Sequence, residues 1–297
     1  MIDLLNSLPG ALAQGLVWGV MAIGVFLTYK ILGIADLTVD GSICTGAAVC
    51  TMMIIGGSPA WLAMICAFLA GTAAGILTGL LHILLGIPDI LSGILTQMAL
   101  WSINLKILGK ANQALPARSF SVVLSQLDNV RSIIVLAVLS ALIIGLLYLF
   151  FGTELGSAIR ATGNNPVMSR AQGINTGVMS IIGLALSNGI VALSGALLCQ
   201  YQGYTDINMG RGAVVIGLAA VVIGTAVTKR IGSNFALKLT GVAFGAVIYY
   251  TVYQVIIFAG FDTDFLKMFS AIVVACFLGI PYVSKKIKHM KGRKKDA

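Results

Sequence analysis

Charge is what this sequence has least of. Only 10% of its 297 residues are Asp, Glu, Lys or Arg, against 58% hydrophobic. A soluble domain of this size could not cover its surface with so few charges, so the composition excludes one and implies an integral membrane protein. Histidine is scarce too: His82 stands in an apolar run and His289 in a basic tail, so neither a catalytic triad nor a zinc site can be assembled. His82 reads as an interior polar contact or an interfacial residue. The five cysteines, Cys44, Cys50, Cys66, Cys199 and Cys276, show neither metal-ligand spacing nor a secreted disulfide pattern and read as packing residues. A phosphate-binding G-x-x-x-x-G-K-[ST] loop is absent, "GKA" at Gly109 being the nearest approach, so the chain is not expected to hydrolyse ATP or to be an enzyme. The opening "MIDLLNSLPG" has no Lys or Arg, so it lacks the basic region of a secretory signal and the first helix is expected to be retained.

What is present is a succession of apolar runs, each near the roughly 20 residues that cross a bilayer as a helix. They fall near Ala11–Ile31, Ser42–Gly56, Ala60–Leu84, Ile90–Leu108, Ile133–Phe151, Val178–Gln200, Ala213–Val227, Leu237–Ala259 and Lys267–Val283. The expected fold is therefore all-α and polytopic, with about eight to ten transmembrane helices. No linker divides the chain, which reads as one transmembrane domain over 1–284 followed by a basic tail over 285–297. The net charge of +9 does not point to nucleic acid, because seven of the basic residues sit in "KKIKHMKGRKK" directly after the last apolar run. That is a positive-inside signal, placing the C-terminus in the cytoplasm and attracting anionic lipid. Counting back, "TKRIGSNFALK" also falls inside, "FDTDF" with Asp262 and Asp264 falls outside, and the sizeable loop from Lys110 to Arg131 is external.

Glycines spaced by four, at Gly15/Gly19, Gly71/Gly75/Gly79 and Gly241/Gly245, allow helices to approach closely, either within one subunit or across a dimer contact. "GILTGL" at Gly75 is echoed by "GILTQM" at Gly93, too short a match to establish a repeat. Two interruptions stand out: "GIADLTVDGS" after the first span, and "GIPDILSG" after the third, with Pro88 and Asp89. Their carboxylates either cap helices in short turns or line a cavity at membrane depth. Asp40 and Ser42 of the first break, with Gln97, Asn188 and Ser194 in neighbouring spans, are candidate pathway residues; hydrogen bonding between helices is the alternative role.

The longest polar stretch is central, and by the same counting cytoplasmic: "SAIRATGNNPVMSRAQGINTG", Ser157 to Gly177. Leu155, Ala158, Ile159 and Thr162 share one face of a short helix that Gly163 is expected to end. Asn165 can cap and Pro166 can open a second short helix running to Gln172 and closed by Gly173, and Asn175 or Thr176 can cap the next span. The segment reads as a structured helical elbow.

This order of residues, from "GSAIRATGNNPVMSRAQGIN" to "ALSGALL", resembles the coupling segment of permease subunits of ABC importers in the branched-chain amino-acid and ribose permease family. "ADLTVDGS" and "ILSGILTQMALWSINLKILGKAN" extend the likeness over most of the chain, toward the subgroup linked to tryptophan or tyrosine uptake. The resemblance implies a multi-pass permease of a bacterial inner membrane that passes a small solute, an amino acid and possibly an aromatic one, inward from an external substrate-binding lipoprotein. It implies a second permease copy and two cytoplasmic ATPase subunits, which carry ATP and Mg, with no cofactor in this chain. The coupling loop, about 153–176, would dock on the ATPase through Leu155, Ile159, Arg160, Asn164, Val167, Met168, Arg170, Ala171 and Gly173. The competing reading is an ion-coupled secondary transporter, which needs ionisable groups within its spans; here these reduce to Asp36, Asp40 and Asp89 at the breaks.

Overall fold

A computed structural model of the chain describes residues 2–116, 120, 122–126, 128–228 and 234–258, with positions 268, 271, 272, 275 and 279. Its helices are α1 (Ile2–Phe26, continued by a π-helical turn, Leu27–Leu32), α2 (Val39–Ile55), α3 (Ala60–Ile83), α4 (Asp89–Leu108) and α5 (Asn129–Gly152). There follow α6 (Glu154–Asn164), α7 (Pro166–Ala171), α8 (Thr176–Gln202), α9 (Ala213–Thr228) and α10 (Phe235–Phe258). The fold is all-α and polytopic, as the hydropathy predicts. Among the described residues six helices are long and apolar enough to cross a membrane, whereas α2 and α9 have only 17 and 16 residues. The expected ninth span is described only at isolated positions, and "FDTDF" and the basic tail lie outside the described residues.

Two three-helix units share one pattern. In each, a long helix ends on a glycine in the left-handed region, Gly33 after α1 and Gly203 after α8, where an L side chain would be strained. A non-helical break follows, then a short helix (α2 or α9), then a long one (α3 or α10). The units pack reciprocally, α3 on α8 and α10 on α1. At the centre α1 and α8 run antiparallel: Tyr201 donates to the Gly10 carbonyl (3.3 Å), Ser194 to Val17 (2.7 Å) and Ser187 to Gly24 (2.7 Å). Opposed units of this kind, each with an interrupted helix, commonly carry a transporter's site at the interruptions.

All three glycine series pack within one chain. Cβ atoms at Gly71 and Gly75 would run into the α8 backbone at Asn188 and Leu184, Gly15 and Gly19 face Val247 and Ala243 of α10, and Gly241 and Gly245 face α9. Such contacts supply the close approach that holds helices together where lipid removes the hydrophobic drive. Gly75→Leu should therefore force α3 off α8, an overpacking that costs about 1–3 kcal/mol or more. Size-exclusion chromatography in mild detergent should show the monodisperse peak lost for Gly75→Leu and kept for Gly145→Leu, whose position on α5 has open space around it.

At the end of the bundle away from α6 and α7, two short strands that hydropathy does not predict, β1 (Asn112–Ala114) and β2 (Tyr204–Asp206), pair antiparallel with Gln113 opposite Thr205. They tie the segment after α4 to the one after α8.

Candidate functional site

The break after α1 runs into the bundle. Asp36 is buried; its Oδ1 accepts from the Thr38 backbone N–H (2.9 Å) and its Oδ2 from Asn188 Nδ2 (2.7 Å). Asn188 stands on α8 about 18 Å from that helix's start, at 1.5 Å per residue. Ser42 donates to Asn188 Oδ1 (2.6 Å), and the Thr38 and Thr78 hydroxyls share a hydrogen bond of 2.7 Å. Asp89, in the first turn of α4, takes the Ala35 N–H on its Oδ2 (3.2 Å), bracing the break from the other side. Of the sequence-predicted pathway residues, Ser42, Asn188 and Ser194 thus sit in the interior, bonded to other helices of the same chain.

Asp40 and Gln97 stand elsewhere, on the wall of a cavity of about 480 Å³ between α2, α4 and the turn that leads into α9. Met98, Trp101, Asn104 and Arg211 share that wall. The carboxylate of Asp40, in the first turn of α2, accepts from Gly212 N–H (2.9 Å) and Val214 N–H (3.0 Å), so it caps the start of α9 from another element. Gly210 lies so close to the Asp40 carbonyl that a Cβ would not fit. The two short helices therefore begin side by side. Sequence reading singled out Asp40 and Gln97 here but not Trp101, Asn104 or Arg211. The spacing of Gln97, Trp101 and Asn104 on one face of α4 was the available signal.

The elbow is built as its caps predict, with boundaries moved by a residue. Thr153 caps α6 by accepting from Gly156 N–H (3.3 Å), and α6 runs one residue past Gly163. The reason is that Gly163 is used for packing: a Cβ there would strike the backbone of Ile31 and Leu32, so α6 lies directly on the π-helical turn. Asn165 accepts from Met168 N–H (3.0 Å), Pro166 opens α7, which ends at Ala171, and Asn175 accepts from Val178 N–H (3.2 Å) to start α8.

The side chains predicted to meet an ATPase divide. Ile159 is 1% exposed and belongs to the core, and Arg160 donates to the Phe151 carbonyl (2.8 Å) while lying over the Phe235 ring. Leu155, Val167 and Met168 are 50%, 74% and 58% exposed, and Asn164, Arg170, Ala171 and Gly173 are exposed with them. Arg170 also borders a second cavity of about 480 Å³ under the elbow, with His82, Thr162 and Ser180. There His82 Nδ1 lies 2.8 Å from the Ile87 carbonyl oxygen.

Comparison with known proteins fits this arrangement. The tyrosine transport system permease protein of Clostridioides difficile is 37% identical over 286 residues, covering 96% of this chain and 94% of that one. The fructose import permease protein FruF of Bifidobacterium longum is 26% identical, over 97% of this chain and 84% of its own. Among solved structures, an inward-facing metal-chelate type ABC transporter shares the fold with a TM-score of 0.51 at 15% identity, over 93% of this chain and 85% of that one. Residues 7–280 match the profile of the branched-chain amino acid transport system / permease component family, and with a relative so similar across nearly its whole length the chain belongs to that family, as a multi-pass membrane permease subunit of an ABC transporter.

Proposed function

We propose that this chain is the membrane subunit of an importer that brings an amino acid, of the aromatic class, into the cytoplasm. Two copies form the pathway, an external binding lipoprotein delivers the solute, and two cytoplasmic ATPase subunits, holding ATP and Mg, drive the cycle. The observation that carries this reading is the elbow. Three apolar side chains, Leu155, Val167 and Met168, project into solvent from a segment that is capped at each helix start and pressed backbone to backbone on the end of α1. Exposed apolar groups on a rigid support mark a docking surface. A segment so clamped passes a push from outside to α1 and hence to the break at Asp36, whereas a loose loop would absorb it. The elbow end is cytoplasmic on this reading, as is the C-terminus, in agreement with the distribution of Lys and Arg. The amino-acid assignment rests on the name of the tyrosine permease relative.

Purification of the tagged chain from its native membrane in mild detergent, followed by mass measurement, tests the assembly. The expected particle holds two copies of this chain and two ATPase subunits, and in vesicles supplied with the binding protein it takes up labelled tyrosine only when ATP is present. Uptake by this chain alone, following a proton or sodium gradient without ATP, would replace this reading with the ion-coupled one.

A further inference from the structure

The geometry points to the cavity where α2 and α9 begin as a transit site for a zwitterionic α-amino acid with a large aromatic side chain. It deepens the amino-acid import reading and rests on it.

The cavity brings together groups of both signs, Asp40 and Arg211. The Asp40 carboxylate is held by backbone N–H groups at the start of α9, Gly212 on Oδ2 and Val214 on Oδ1 with Ala213 between them, and its two oxygens, with about four acceptor sites, can still accept from a ligand. Arg211, in the turn that supplies those N–H groups, makes no ion pair and no side-chain hydrogen bond among the described residues. Comparable cavities differ in this respect: the one under the elbow has Arg170 and His82, and the one beside α10 has Arg160, and neither is lined by a carboxylate.

A second, independent observation is Asn104. Its side chain is 1% exposed and borders the cavity; Nδ2 makes one long hydrogen bond to the Gly41 carbonyl (3.4 Å), and Oδ1 has no partner among the described residues. A buried acceptor without a donor is costly, and a ligand that brings N–H groups relieves that cost. An α-ammonium is such a donor, suited to Asp40 and Asn104 together, and the matching α-carboxylate suits the bidentate guanidinium of Arg211. The remaining wall is apolar and aromatic, with Met98 and Trp101, and a volume of about 480 Å³ lies within the range of roughly 300–1,000 Å³ typical of small-molecule sites. A neutral sugar would leave the opposed charges of Asp40 and Arg211 unused.

The test is protection from thiol labelling in the detergent-purified permease–ATPase complex, with cysteine introduced as Gln97→Cys and the slower background of the parent chain subtracted. A ligand that fills the cavity slows labelling by one plus its concentration over Kd, about threefold at twice Kd. L-Phenylalanine should protect, whereas phenethylamine, which lacks the carboxylate, 3-phenylpropionate, which lacks the amine, and fructose should not. Arg211→Gln in the same background should abolish protection by L-phenylalanine, and Trp101→Leu should weaken it, with co-purification of the ATPase reporting that each variant is folded. Protection by fructose as strong as by L-phenylalanine, none by L-phenylalanine, or protection that survives Arg211→Gln overturns the assignment. If the complex still imports aromatic amino acids while any of these holds, the transit site fails alone. If it imports a sugar and no amino acid, the import reading fails with it.

Discussion

Replacing Val167 and Met168 together by alanine should release the ATPase subunits and stop uptake while leaving the permease folded in the membrane. Both side chains are mostly in solvent and neither supports the core, so their truncation removes nothing that holds the bundle together. What it removes is the apolar tip of α7, a helix of six residues fixed at its start by Asn165 and Pro166. Buried anchors at interfaces commonly cost about 2 kcal/mol or more when truncated, roughly a 30-fold loss of affinity each. Arg170→Ala should act mildly, by about 1 kcal/mol or less, since an exposed cation is screened by water in the free subunit and at the rim of a complex. Ile159→Ala belongs to a different class. That side chain is buried against the body of the protein, so its loss, about 2–5 kcal/mol for an Ile to Ala change in a core, should reduce the amount of folded permease before it affects docking. Pull-down through a tagged permease, uptake in vesicles and membrane abundance, measured together on the three variants, separate these outcomes. Unchanged pull-down and uptake for the double variant would show that the elbow merely connects two spans.

The division between Ile159 and its neighbours shows what sequence can and cannot tell. Hydropathy located the eight long or apolar helices within a few residues of their observed ends, except at the start of α1, which begins nine residues before Ala11, because in lipid an apolar run of sufficient length has no alternative to a helix. The caps of the elbow were legible for a related reason: Asn165, Pro166 and Asn175 act on backbone groups within three residues, so their effect needs no knowledge of the fold. The direction of each side chain did need it. Leu155 and Ile159 share a helical face in sequence, yet Gly156 and Gly163 bring the α6 backbone so close to Phe150, Phe151 and Ile31 that the buried face is centred on Gly156, Ile159 and Thr162, leaving Leu155 outside. The paired arrangement of α1–α3 and α8–α10 was also hidden, since it is carried by equivalent positions of glycines and breaks and not by similar residues. The cavity at Asp40 follows from that pairing, which is why the sequence alone points to only two of its polar residues, Asp40 and Gln97.

Asn188 gives the sharpest test of how the break is held. Its amide is a connector: Nδ2 donates to the Asp36 carboxylate and to the Leu184 carbonyl, and Oδ1 accepts from Ser42. No other residue type of that size supplies both a donor and an acceptor at these positions. Asn188→Leu would leave the Asp36 carboxylate with only its Thr38 contacts and the Ser42 hydroxyl without its acceptor, at sites closed to water. Leaving a buried polar group short of a partner costs about 1–3 kcal/mol, and more for a charged one. The expected result is a large fall in melting temperature of the detergent-purified permease and a loss of monodisperse protein. Asp36→Asn should be milder, because the remaining carbonyl can still accept from Asn188 and no buried charge is left. The decisive variant combines Asp36→Ala with Asn188→Leu. If the penalty of Asn188→Leu arises mainly from a carboxylate that has lost the Asn188 donor, the double variant should be no less stable than Asn188→Leu alone and should regain part of the lost melting temperature. Strictly additive losses, or an Asn188→Leu protein that melts with the parent, would mean that the break is held by helix packing and that the buried carboxylate contributes nothing to it.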